Sequence, residues 1–218
     1  MDLIKKCADS LRNFSRDKYD IKLKATHAHE LMAAYCGYAS KNAMLADEDY
    51  PLSNLSQANI VVTMPDDFID LRRNDLHDFP SELPDSYTLG EAFYACLFAD
   101  ERWTSETSPF RSFDKLARYL FENSDEYKVK YNNVFKFYRD ISMHHIVDTA
   151  INKDDVIINV VHAYDTHDGD MLGAGASTIR LPRIAACIGY GKPQFDVGYW
   201  TGGARRKIEL KEQQSWSA

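Results

Sequence analysis

The chain changes character near residue 150, and that change limits what it can fold into. Before it, apolar residues recur at intervals of three and four, the signature of helices with one buried face. After it, β-branched residues concentrate, and eight of the ten glycines fall between Gly169 and Gly203. The pattern predicts an α+β protein, with a helical N-terminal two thirds and an antiparallel β-sheet built mainly from the last third.

Individual segments sharpen this reading. Leu3, Ile4, Cys7, Leu11 and Phe14 predict an amphipathic helix over 3–18. Between Lys22 and Asp47 the spacing predicts a helical hairpin, in which Thr26 caps one helix, Gly37 supplies a left-handed stop and Ser40 caps a second. The stretch DEDYPLSNLSQA reads as a linker, which places a boundary near residues 48–56 between a small helical module, 1–50, and an α+β domain, 56–218. Further on, 59–64 reads as a strand, and Asp66 or Asp67 as the cap of a helix. Helices are expected from Thr88, from Phe113 and from Tyr131 to Ala150, the last broken near Ser142. Val156–Tyr164 reads as a central strand, Ser177–Ile188 as a strand interrupted at Pro182, and 195–210 as a hairpin turning at Gly202–Gly203.

The hairpin around Gly37 is compatible with a helix-turn-helix, whose second helix would offer Lys41 and Asn42 to a partner. Asp47, Glu48 and Asp49 end that helix and disfavour nucleic acid; a simple packing unit is the alternative. Residues 11–47 resemble the short N-terminal helical module of bacterial proteins classed in the glyoxalase superfamily. The likeness rests on Thr26, His27 and His29, then Glu30-Leu31, then Gly37-Tyr38 before the second helix. Those proteins often carry an aromatic residue near the position of Lys41 or Asn42, and this chain does not. The resemblance implies a bacterial protein associated with a mobile element, and transfers no glyoxalase chemistry.

Two other regions hold candidate chemistry. His144, His145 and Asp148 precede the run His162-Ala163-Tyr164-Asp165-Thr166-His167-Asp168-Gly169-Asp170. Imidazole and carboxylate are competent ligands for a divalent transition metal, and His162, Asp165 and His167 form the expected set. The alternative is an ordinary polar turn. Gly169, Gly173 and Gly175 can cradle a phosphate or merely join two strands; no P-loop, HExxH or GxSxG motif accompanies them. Near the C-terminus, Tyr199 and Trp200 precede Arg205, Arg206 and Lys207, a basic and aromatic ribbon suited to a nucleic acid or an acidic protein surface.

Composition bounds the function. Four widely spaced cysteines suggest reduced, mostly buried thiols and a cytoplasmic setting. No run of eighteen apolar residues and no apolar signal core is present. The net charge is −7, and residues 49–126, with sixteen acidic and six basic side chains, carry more than the whole of that excess. That middle third would repel phosphate backbones. The expected function is therefore a non-enzymatic accessory or regulatory protein that binds a protein or nucleic-acid partner, without a cofactor. The alternative is a metal-dependent enzyme with its site between residues 144 and 170.

Overall fold

Residues 3–99, 109–135, 141–165 and 172–199 are described in the computed structural model of the chain. The fold is α+β, and it divides into two compact units. The first comprises residues 1–112 with 183–191, the second residues 113–182 with 192–218.

In the first unit, α1 (Leu3–Tyr19) buries Cys7, Ala8, Leu11 and Ser15, a stripe at helical spacing, and stops at Asp20, whose φ is 55°. Helix α2 (Ala25–Tyr35) is apolar on most sides and correspondingly buried. Thr26 lies inside α2 and does not cap it, because Lys24 occupies the flanking position with no side-chain hydrogen bond. At the other end the expectation holds. Gly37 adopts φ +87°, its amide donates to the Ala34 carbonyl at 2.8 Å, and the Tyr38 amide donates to the Ala33 carbonyl at 2.9 Å. Ser40 then caps α3 (Lys41–Ala46) by accepting from the Ala43 amide.

Residues expected to form a linker instead make a 3-10 helix, Leu52–Gln57, with Leu52 and Leu55 buried in the core of this unit. Their apolar side chains outweigh the polar ones between them. Strand β1 (Ile60–Val62) is fully buried and leads through Pro65 into α4 (Asp66–Asp75). Asp66 and Asp67 sit in the first turn of α4, where carboxylates suit the helix dipole, rather than at the cap. Asp85 caps α5 (Ser86–Leu97) through the Thr88 amide at 2.7 Å. Gly90 lets Tyr35 lie close against α5; that ring stacks on Phe93 at 5.1 Å and its hydroxyl donates to the Ser86 carbonyl at 2.7 Å.

Strand β2 (Pro109–Phe110) runs parallel to β1, so the sheet is mixed rather than wholly antiparallel.

The second unit opens with α6 (Phe113–Asn123) and α7 (Asp125–Phe135). Leu116, Ala117, Leu120 and Phe121 form the buried stripe of α6, and Ser124 accepts from the Tyr127 amide at the start of α7. The expected helix over 131–150 is a correction. After α7 the chain forms β3 (Ile141–Ile151), paired antiparallel with β4 (Asp155–Asp165). Ile146, Val147, Thr149 and Ile151 favour the pleated strand, and pairing along β4 overrides any local helical tendency. A tight turn joins the two strands: the Asn152 amide donates to the Asp155 carbonyl at 2.9 Å, and the Asn152 side chain to Asp155 Oδ1 at 2.8 Å.

Strand β5 (Leu172–Ala185) pairs with β4 as far as Pro182, which has no amide to donate. From Arg183 the chain belongs to the first unit, where Arg183 and Ala185 pair with β6 (Gly189–Tyr190), and β6 pairs with β1. Strand β7 (Gln194–Tyr199) lies along the other side of β5, giving the second unit the order β3-β4-β5-β7, antiparallel throughout.

The returning segment 183–191 is tied into the first unit by one polar knot. Arg183 donates through Nη2 to Asp47 Oδ2 at 2.6 Å and to the Tyr38 hydroxyl at 2.9 Å, and through Nε to the Ala186 carbonyl. Its guanidinium lies over the Tyr50 ring, 4.6 Å from the centroid. Tyr38 donates to the same carboxylate at 2.6 Å, and the Tyr50 amide reaches Asp47 Oδ1 at 3.1 Å. Burial pushes the Asp47 carboxyl up, but the Tyr38 hydroxyl, the Tyr50 amide and Arg183 together leave it below the ordinary carboxylate range.

Two predictions follow from these contacts. A β-carbon on Gly37 would meet that of Cys187 at 2.4 Å and would sit at a positive φ, so Gly37→Ala should cost about 3 kcal/mol in urea unfolding. Asp47→Asn leaves Arg183 uncompensated and should cost about 2–3 kcal/mol at neutral pH. Because the folded-state pKa is lowered, that difference holds above about pH 5 and shrinks as acid protonates the wild-type carboxyl below about pH 4. Unfolding midpoints of the two proteins across pH 3–8 check both the size and the sign.

Candidate binding face

The four-stranded sheet of the second unit has two unlike faces, and alternation along β4 creates them. Val156, Ile158 and Val160 are buried, and register sets them beside Leu181, Ile179 and Ser177 on β5. Helix α7 covers this side. Tyr127 is within hydrogen-bond distance of the Ser177 hydroxyl at 3.2 Å and packs on Phe195 at 5.5 Å between centroids. Lys130 donates to the Phe195 carbonyl at 2.8 Å.

The opposite face carries Asp155, Ile157, Asn159 and Val161 from β4; Asp155 and Val161 are buried, and a polar row crosses the sheet between them. Asp148 pairs with Asn159, Asn159 with Thr178 and Thr178 with Asp196, so one polar residue from each strand falls in a single row across the sheet. Thr178 donates its hydroxyl to Asn159 Oδ1 at 3.1 Å, which orders the middle of the row. Asp148 and Asp196 at its ends are exposed. Adjacent strands are spaced by about 4.8 Å, so the two carboxylate-bearing positions lie about 14 Å apart.

A second row, Ala150–Ile157–Arg180–Gln194, runs beside the first. Arg180 donates through Nε to Asp155 Oδ2 at 2.5 Å. The Asn152 amide and Arg180 hold the Asp155 carboxyl below its ordinary value against the pull of desolvation. The cation of this row is therefore already engaged, while the carboxylates at the ends of the first row face solvent.

The residues singled out by sequence are distributed as follows. Lys41 and Asn42 begin α3 in the first unit. The Lys41 amide donates to Glu30 Oε2 at 3.1 Å, and the same carboxylate oxygen accepts from Arg72 at 2.7 Å. Helix α3 has six residues and ends at Asp47. Of the residues carrying the family resemblance, His27 is buried against Phe79, with ring centroids 5.6 Å apart.

Tyr199 ends β7, and Trp200, Arg205, Arg206, Lys207 and His167 lie outside the described residues. His144 and His145 sit on β3 rather than on a helix, and His162 and Asp165 on β4. Positions 162 and 165 differ by an odd number, so strand alternation assigns them to opposite faces. Gly173 and Gly175 are strand residues of β5, paired with Tyr164 and His162. Among the described residues, no three His, Cys, Asp or Glu side chains gather as a metal site. Cys7, Cys36, Cys96 and Cys187 are free, and burial pushes the Cys7 and Cys36 thiols up, which keeps them protonated at neutral pH.

Asn159, Thr178 and Asp196 escaped the reading of the sequence, and Asp148 entered it only beside His144 and His145 as part of a candidate metal region. One signal was present: Asn159 is the lone polar residue inside the apolar run Val156–Val161. Without the register, nothing joined it to aspartates eleven and thirty-seven residues away. Among the described residues, no helix is long and apolar enough to cross a membrane. Comparison with family models, curated proteins and solved structures finds no match, so the chain's own geometry is the guide to its function.

Proposed function

We propose that this chain is a binding protein that holds a basic segment of a protein partner on the polar row of its second unit. The observation that carries the reading is the cross-strand row Asp148–Asn159–Thr178–Asp196, whose middle is hydrogen-bonded and whose two ends are exposed carboxylates. A polar row with exposed acids at both ends is complementary to lysine and arginine side chains and repels phosphate. The bacterial, mobile-element setting and the accessory role suggested by the N-terminal resemblance belong to this proposal.

The test compares three immobilised full-length proteins: wild type, Asp148→Asn with Asp196→Asn, and a control, Asp66→Asn with Asp67→Asn, in the first unit. Lysate proteins held at low salt by wild type and control, released by about 0.5 M salt as Debye screening shortens, and absent from the sheet variant are the expected result. Retention of the same proteins by the sheet variant contradicts the reading, as does retention of nucleic acid alone or of nothing.

A further inference from the structure

Helices α1 and α5 are set in register by one hydrogen bond, in which the Ser10 hydroxyl donates to the Ala92 carbonyl at 3.1 Å. A side chain as short as serine reaches a facing main-chain carbonyl only where two helices pack closely, and buried Ala8 and Ala92 allow that approach. Cys7 stands three residues before Ser10 on α1, and Cys96 four residues after Ala92 on α5. Each therefore lies one turn from the bond, on the same face of its helix. A step towards the start of α1 matches a step towards the end of α5, so the helices run antiparallel and the two cysteines meet. The Cys7 thiol is accordingly hydrogen-bonded to Cys96. Both are free, and they differ in access. Cys7 is fully buried, whereas Cys96 is half-buried and lines a groove of about 560 Å³ with Lys6, Ser10, Asn13, Ala92 and Ala95. Cys187, also half-buried, lies beside Gly37, Arg183 and Asp47 instead.

We propose that Cys96 and Cys7 form a dithiol oxidised by hydrogen peroxide, in which peroxide reaches Cys96 through the groove and Cys7 resolves the product into a disulfide. In the first step the Cys96 sulfur takes one peroxide oxygen: an S–O bond forms, the O–O bond breaks, and the thiol proton leaves with the other oxygen as water. In the second the Cys7 sulfur attacks the Cys96 sulfenic acid. An S–S bond forms, the S–O bond breaks, and the Cys7 proton leaves with the hydroxyl as a second water. Two thiols and one peroxide thus give one disulfide and two waters, and the electrons lost by sulfur reduce the peroxide. Access assigns the roles. Burial, and then the adjoining Cys96, push the Cys7 thiol up, so the inner sulfur stays protonated until an electrophilic sulfur stands beside it. The Lys6 ammonium on the groove wall acts on Cys7 in the opposite direction and favours its thiolate during the attack. A disulfide joins residues whose Cα atoms are about 4.4–6.8 Å apart, a spacing that the close contact at Ser10 and Ala92 favours. The bridge ties the start of α1 to the end of α5 within the first unit, and it is independent of the binding face on the second.

The test treats the full-length chain, reduced and then freed of reductant, with hydrogen peroxide at neutral pH, alkylates the remaining thiols in urea and maps the peptides by mass spectrometry. Wild type should yield a Cys7–Cys96 bridge that exceeds every other cysteine pairing by roughly tenfold and that dithiothreitol reverses. Cys187→Ser should bridge to the same extent. In Cys7→Ala the reaction should stop at the Cys96 sulfenic acid, which dimedone captures, and in Cys96→Ser the Cys7 thiol should survive unmodified. Urea unfolding confirms that each variant is folded, and the wild-type map decides the matter where one is not. Recovery of both thiols from peroxide-treated wild type, a predominant pairing other than Cys7–Cys96, or loss of the bridge in folded Cys187→Ser would each overturn the proposal.

Discussion

Strand register in the second unit is the constraint on which the rest of this account depends. A strand has a side-chain period of two, so a slip of one residue would exchange its two faces. Three local contacts hold the pairing in place. The Asn152–Asp155 turn sets β3 against β4, the Arg180–Asp155 ion pair fastens β5 to the start of β4, and Tyr127 on α7 meets Ser177 and Phe195 on the covered face. Buried Val156, Ile158 and Val160 add the nonlocal term, since a slipped register would carry them into solvent. The polar row follows as the necessary other half of the same alternation.

In the first unit a different kind of contact closes the structure. Segment 183–191 returns from the far end of the chain to pair with β1 and complete the core that α1, α2 and α5 enclose. Its entry is marked by Gly37, where the approach of Cys187 leaves no space for a β-carbon, and by the Arg183–Asp47–Tyr38 knot beside it. The apolar segment supplies burial, and the charged group at its mouth supplies direction. Removal of either partner leaves the other desolvated, which is why such a pair specifies a position more than it adds net stability.

Much of this architecture was legible in the sequence, for reasons that differ by element. Helices α1, α5 and α6 carry their own periodicity, and Gly37 and Ser40 announce the ends of α2 and α3 through backbone requirements only those residue types meet easily. Strands β1 and β4 are short apolar runs bounded by polar residues. What was not legible is nonlocal. Strand β3 was read as a helix because Ile141–Ala150 has no strong period of its own and becomes a strand by pairing with β4, whereas Tyr131–Phe135 is helical as expected. The 3-10 helix at Leu52–Gln57 was read as a linker because two buried leucines are hidden among serines, asparagine and glutamine. The polar row is a product of register, and no local pattern encodes which residues of separate strands will meet.

Because register underlies the binding face, cross-strand disulfide trapping tests the account most directly. Directly opposed residues of an antiparallel pair have Cα atoms about 4.5 or 5.5 Å apart, within reach of a disulfide. Cysteines introduced together at Asp148 and Asn159, and in a second protein at Thr178 and Asp196, should cross-link under mild oxidation, with the bridged peptides identified by mass spectrometry. Matched pairs shifted by one residue, Asp148 with Val160 and Thr178 with Val197, should not. Efficient cross-linking of the shifted pairs and failure of the opposed ones would contradict the register, and with it the polar row.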